Sequence, residues 1–434
     1  MTFNFQLSIF AALWLLLGQG VFAQTFHTHF DTTRLRVDLI FAGNAEQQSV
    51  YFAGLHKEPQ WGGSQTNLIE PFDYGEYCYK VFSTENQLLF SRGFSSLFYE
   101  WRTTEEAQNL SRAHPFSLVL PMPKQEVRLE IYERVKKTNE WRRLFTTGIH
   151  PSDRQIKQDA PANFAVNTLL HHGHPSQKVD VAFLAEGYTA GEMEKFRADA
   201  ARFMDYLFAV EPFATHRSDF NIWAVEAVSE ESGPDIPHEG IWKNTAADAS
   251  FYTFRIDRYL TAPNHTRLCE LAWNTPYDIL YVLVNTAKYG GGGVYNFYGL
   301  SMSDHPLAKD VFPHEFGHAF AGLGDEYYTS EVAYLDFYDL EIEPWEPNLT
   351  TLVDFDKKWR GLLDKDTPIP TPDTAGYAYT VGVFEGGGYT GKGVYRPALD
   401  CRMKSNATKS FCPVCHHALE KMIEMYCGKL KIEN

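Results

Sequence analysis

The five residues His314-Glu315-Phe316-Gly317-His318 place the tightest demand on this 434-residue chain. Two imidazoles four residues apart meet at one ion only if the backbone between them is helical, because positions i and i+4 share a face. Glu315 then projects about 100° round the helix from His314, beside the ion rather than on it, where it can take a proton from an activated water. Pro313 limits where that helix starts, since an interior proline removes a hydrogen bond and clashes with the preceding turn. With Asp310 as N-cap, Pro313 falls in the first turn, whose amides have no helical partner. Gly322 or Gly324 can then end the helix and turn the chain back at Asp325 and Glu326. A catalytic zinc takes three protein ligands and leaves a fourth position open. The expected ligands are His314, His318 and Asp325, with Glu326 or a distant residue the alternative third ligand and Glu315 the catalytic base.

The helix needs a scaffold, and the periodicity changes along the chain. Leu35, Val37 and Leu39 alternate with Arg36 and Asp38, and Val127, Leu129 and Ile131 with Arg128 and Glu130, each predicting a half-buried strand. Residues 24–150 therefore read as a β-rich sandwich domain. A polar stretch from Pro151 to Lys178 reads as a linker, and its His171, His172 and His174 as solvated. From Val179 the pattern is α/β. Val179 to Leu184 forms a short apolar run ended by Gly187. Met193, Phe196, Ala200, Phe203 and Leu207 then recur at helical spacing behind a Thr189/Glu192 capping box. Phe220 to Val228 and Tyr277 to Val284 supply further strands. Residues 151–434 thus form the candidate metallopeptidase domain. The strand from Tyr277 to Asn285, leading into Gly290 to Gly293, is a candidate for pairing with an extended peptide.

An apolar run from Leu7 to Leu17 is shorter than the roughly 20 residues that span a membrane. With Val21 and Ala23 before Gln24, residues 1–23 read as a signal peptide, with an uncleaved anchor the alternative because no Lys or Arg precedes the apolar run. The expectation is a secreted or periplasmic protein with no integral membrane span once the leader is removed. A net charge of −16 and the lack of a long basic run speak against nucleic acid as a partner. Six cysteines are too few for a disulfide scaffold in so long a chain. Cys412-Pro413-Val414-Cys415-His416 suits a zinc knuckle or a redox pair. In an exported chain, a disulfide from Cys401 to Cys412 or Cys415 is the preferred reading. Val414, Leu419, Met422, Ile423 and Tyr426 predict a C-terminal helix that packs into the core and is closed by Gly428.

With Asp325-Glu326-Tyr327 after the His314 to His318 motif, the sequence resembles the M64 family of zinc metallopeptidases, called IgA peptidases. The likeness extends to Leu184 through Thr189, Phe220-Asn221-Ile222, Glu346-Pro347-Asn348, Tyr395 through Met403 and Phe411 through Cys415, and covers roughly residues 178–428. The β-rich segment before it looks like the N-terminal domain that often accompanies the family. The resemblance implies a metzincin-like α/β domain, one Zn2+ and hydrolysis of peptide bonds in protein or peptide substrates. It also implies Met403 as the methionine beneath the zinc, with a buried core methionine as the alternative. The departure is Gly324, which stands ten after His314 where the usual metzincin pattern has a ligand. The family name does not establish immunoglobulin A as the substrate. Tyr389 or Tyr395 is a candidate to stabilise the oxyanion. Two rival readings are a surface protein that binds glycans or proteins while its zinc site is idle or structural, and a zinc amidase acting on cell-wall peptides.

Overall fold

Leu35, Val37 and Leu39 lie on β1 (Phe30–Gly43), the longest strand of a computed structural model that describes residues 26–158, 160–161, 163–328 and 338–431. The leader read over residues 1–23 lies outside the described residues. β1 joins β2 (Gln48–Glu58), β5 (Arg112–Pro123) and β8 (Ile156–Lys157) in a sheet of order β5-β1-β2-β8. A second sheet, of order β4-β3-β6-β7, holds β3 (Tyr77–Ser83), β4 (Leu88–Phe94), β6 (Val127–Arg134) and β7 (Trp141–Ile149). Aromatic rings bridge the two, with Phe41 5.1 Å from Tyr77 and Phe94 4.7 Å from Phe116. Two short helices, α1 (Leu97–Arg102) and α2 (Glu105–Asn109), lead back into β5.

The alternation in β1 misleads at one point, because its polar face is buried too. Arg34, Arg36, Asp38 and Glu58 of β2 are all buried. These charges pair with one another: Arg36 reaches Asp38 at 2.8 Å and Glu58 at 3.0 Å, and Arg34 also bonds Glu58. The paired face then accepts neighbours, as Arg34 donates to the carbonyls of Thr275 and Trp273 and lies 4.0 Å over the Tyr277 ring. Ser117 of β5 donates through its amide to His265 of α4 (His265–Leu271). A face that reads as solvent-facing is a seam with the remainder of the chain.

Beyond the seam lies a six-stranded sheet of order β13-β14-β12-β10-β11-β9, from β9 (Val166–Leu170), β10 (Val179–Glu186), β11 (Phe220–Val225), β12 (Ile279–Val284), β13 (Gly291–Val294) and β14 (Tyr298–Met302). The inner four strands are parallel, while β13 and β9 run antiparallel at the two edges. β10 is buried along its whole length, as a parallel strand covered on both faces must be. The segment read as a linker contributes β8 to the first sheet and β9 to this one, so it is not a free connection. Its His171, His172 and His174 are exposed, as expected.

Thr189 and Glu192 form the expected capping box, and α3 (Met193–Leu207) buries Met193, Phe196, Ala200, Phe203 and Leu207 against the sheet. α5 (Ala308–Ala321) follows β14 and seats Phe312 between the rings of Phe203, Phe183 and Tyr281, at 5.1, 6.0 and 4.6 Å. α6 (Pro413–Tyr426) packs on its far side, with Tyr426 5.7 Å from Phe320, and buries the apolar stripe expected of it. A hairpin of β15 (Phe384–Gly387) and β16 (Thr390–Arg396) closes the end of the molecule that carries α5. Among the described residues, no helix is long and apolar enough to cross a membrane.

Candidate metal centre

α5 begins earlier than the sequence suggests. Its N-cap is Leu307 rather than Asp310, so Pro313 lies inside the helix and not in its first turn. Burial of Ala308, Val311 and Phe312 extends the helix backward, and that packing outweighs the hydrogen bond lost at the proline. The buried guanidinium of Arg402 takes up a carbonyl in that turn, donating to Asp310 O at 3.0 Å. Gly322 ends the helix with φ +61°, a conformation that favours glycine, and its amide donates to His318 O.

The turn that follows brings Asp325 back to the helix. Its Oδ1 lies 3.1 Å from His314 Nε2 and 3.2 Å from His318 Nε2, and the two Nε2 atoms are 3.1 Å apart. Each imidazole is held at its other nitrogen by a backbone carbonyl, His314 Nδ1 by Arg402 O at 3.0 Å and His318 Nδ1 by Leu323 O. With the protons on Nδ1, both Nε2 atoms present lone pairs inward, and the buried Oδ1 has no hydrogen-bond donor. A tetrahedral zinc with bonds of about 2.0–2.1 Å sets its ligand atoms about 3.3 Å apart, so this triangle fits that ion. The electrostatics agree. Burial works against a charged imidazole, yet Asp325 outweighs it and pushes His318 up to about 9. The cluster attracts positive charge that a divalent cation would supply.

Glu315 points beside the triangle, and burial raises its carboxyl above the usual range against the pull of the two histidines. The strand across from it is β13, not the expected one. The run from Tyr277 to Asn285 becomes β12, which is paired on both sides and has no free edge. The glycines next to it form the edge strand because helix and strand backbones nearly touch. A Cβ on Gly293 would stand 2.2 Å from Glu315 O, and one on Gly291 2.9 Å from Glu315 Oε1. Tyr259 bridges the outer side of β13 at Gly291, and the rest of the strand lines a cleft above the triangle. Glu76, just before β3, and Glu100 of α1 also line the cleft, with Trp345 and Glu346.

Further residues reach the triangle from distant parts of the chain. Tyr389 donates to Asp325 Oδ2 at 2.6 Å from the tip of the β15–β16 hairpin, where Gly388 and Tyr389 both have positive φ as a two-residue turn requires. Tyr395 pairs with Thr350 instead and does not line the cleft. Asn348, from the Glu346-Pro347-Asn348 run, clamps the turn after α5: its Oδ1 accepts from Gly324 N at 2.7 Å, and its Nδ2 donates to Gly324 O and to Glu326 Oε1. Met403 is fully buried beneath α5, its Sδ 3.2 Å from where a Cβ on Gly317 would stand. Glu326, the alternative third ligand, turns away from the histidines toward Cys415, whose thiol donates to it at 3.3 Å. The preferred disulfide is absent, for all six cysteines are free thiols and Cys401 Sγ lies 3.8 Å from Cys415 Sγ. Sulfur atoms in a disulfide are about 2.05 Å apart.

Compared with known families, residues 168–377 and 373–423 match IgA Peptidase M64, and residues 25–146 match the Peptidase M64 N-terminus. No curated protein matches the chain.

Proposed function

We propose, for a chain that belongs to the M64 family and is therefore a metallopeptidase acting on protein or peptide substrates, an exported zinc endopeptidase with Glu315 as its general base. The observation that carries this reading is the convergence of His314 Nε2, His318 Nε2 and the donor-free Asp325 Oδ1 on one point at the floor of an open cleft. We assign these three as the zinc ligands. When bound, zinc supplies Lewis acidity to the scissile carbonyl and eases deprotonation of water.

The protein's own groups do the rest. Glu315, raised by burial, accepts the proton of the attacking water and returns it to the leaving amine. The carbonyls of Arg402 and Leu323 fix the tautomer of each histidine, and Tyr389 fixes the rotation of the Asp325 carboxylate. With its hydroxyl engaged there, Tyr389 serves as a positioning residue ahead of any oxyanion role. Met403 under Gly317 and the antiparallel edge strand beside α5 support a metzincin-like architecture for residues 151–434. The match over residues 25–146 supports an N-terminal β-sandwich domain, read over 24–150, whose first sheet also takes in β8 and which joins the rest of the chain along the Arg34 seam. Export rests on the leader sequence, and N-terminal sequencing of the mature protein should begin at Gln24. The acidic balance of the chain supports peptide rather than nucleic acid as the substrate class.

The test is cleavage of a broad peptide mixture by the wild type and by Glu315→Ala side by side, with new termini read by mass spectrometry. Loss of a general base lowers the rate by about 10²–10⁴, so termini are expected from the wild type alone and only without chelator. Full activity in Glu315→Ala, or cleavage indifferent to chelation, rejects the mechanism.

A further inference from the structure

The thiols of Cys401, Cys412 and Cys415 and one carboxylate oxygen of Glu326 lie within 4.8 Å of one another, and all four residues are buried. We propose that they form a second, closed zinc site, which positions the two chain segments that orient the His314–His318–Asp325 triangle. The site stands on its own geometry and does not depend on which reaction the cleft performs.

Three features point to an ion rather than to a disulfide. The 3.8 Å between Cys401 Sγ and Cys415 Sγ equals the edge of a tetrahedron whose zinc–sulfur bonds are about 2.3 Å. Three thiols cannot all pair with one another, and one disulfide would leave a lone thiol beside a fully buried carboxylate. Glu326 Oε2 is itself fully buried without a hydrogen-bond partner, a costly state for a carboxylate that a cation would relieve. The spacing suits such a site. Cys412 is the N-cap of α6 and Cys415 its third residue, so both sulfurs sit at the positive end of a 14-residue helix, which favours thiolates. Zinc binding releases the proton of each thiol to solvent.

The link to the open cleft is short. Glu326 follows Asp325 directly, and its amide donates to Met403 O at 2.8 Å. Cys401 precedes Arg402, whose carbonyl holds His314 Nδ1. Fixing Cys401 and Glu326 on one ion therefore fixes the carbonyl behind one ligand and the backbone of another.

Full-length protein purified under reducing conditions should contain two zinc ions per chain by elemental analysis, and His314→Ala/His318→Ala should retain one. Cobalt-exchanged His314→Ala/His318→Ala should show the near-ultraviolet sulfur-to-cobalt charge-transfer band of a tetrahedral thiolate site. That band should vanish in Cys412→Ser/Cys415→Ser. If that variant does not fold, the first two measurements decide the matter. A single zinc lost with the histidines, no charge-transfer band, or a Cys401–Cys415 crosslink that blocks alkylation would overturn the site. Glu326→Gln tests the positioning role: kcat should fall about tenfold with KM within twofold, and zinc should leave to a chelator at least tenfold faster. Unchanged kcat would reject that role even with two ions present.

Discussion

Two clusters of metal-competent side chains meet at a single peptide bond, and their contrast separates a site that does work from one that holds shape. Asp325 turns toward two histidines whose side chains are 13–14% exposed, with three donor atoms and a cleft on the fourth side. Glu326 turns the other way into three buried thiols, giving four donor atoms and no exit. Three ligands with an open position suit catalysis, and four closed ligands suit structure. The backbone makes the separation possible: the carbonyls of Asp325 and Tyr327 accept from Gly388 and Tyr389, while the intervening Glu326 amide turns to Met403. Alternation of this kind sends neighbouring carboxylates to opposite sides.

The largest effect should come from graded chelation. A mild chelator reaches the open cluster first and should abolish cleavage while the melting temperature moves by no more than about 2 °C. A stronger chelator, given time, should take the closed site and lower the melting temperature sharply, because a structural metal's binding energy is folding energy. Loss of activity and stability in parallel, followed by peptide assay and calorimetry on the same samples, would erase the distinction between the clusters. Gly293→Ala sharpens it. The new Cβ meets the Glu315 carbonyl at 2.2 Å, and neither backbone can yield. We expect a loss of about 3 kcal/mol or more in a denaturant titration and no cleavage, with the thiolate band of the closed site intact. The smallest effect is expected from Tyr389→Phe, which removes the hydroxyl on Asp325 Oδ2. A hydrogen bond to a charged group is worth roughly 1.5–3 kcal/mol, so kcat/KM should fall by about ten- to a hundredfold. An unchanged value would show that Asp325 is oriented without it.

The open cluster is readable from the sequence because its parts are local. His314, Glu315 and His318 lie on one helical turn, and the glycine break after them brings Asp325 within reach. The helix starts ahead of Asp310 because burial of Ala308 and Val311, not propensity, decides it. The closed cluster draws ligands from the turn after α5, the segment before Met403 and the start of α6, and only its Cys-x-x-Cys half is contiguous. An oxidising compartment, expected from the leader, makes a disulfide the natural reading of the sequence, whereas the folded distances keep the sulfurs apart. Asn348 stands in a run that carries the family likeness, but its role as a clamp on a distant turn has no local signal, since such an asparagine looks like any loop residue. In the β-rich part the strands follow from alternation. Which face meets water does not, because Arg34, Arg36, Asp38 and Glu58 arrive already paired and can therefore be buried.

That buried seam bears on whether the first two sheets could be parted from the rest of the chain. Here, excision of the first two sheets would strip the Thr275 and Trp273 carbonyls of their guanidinium and the Tyr277 ring of its cation. It would also remove Glu76 and Glu100 from the wall of the cleft. The N-terminal sheets thus act as a counterpart that the rest of the chain could not shed without leaving buried polar groups unpaired.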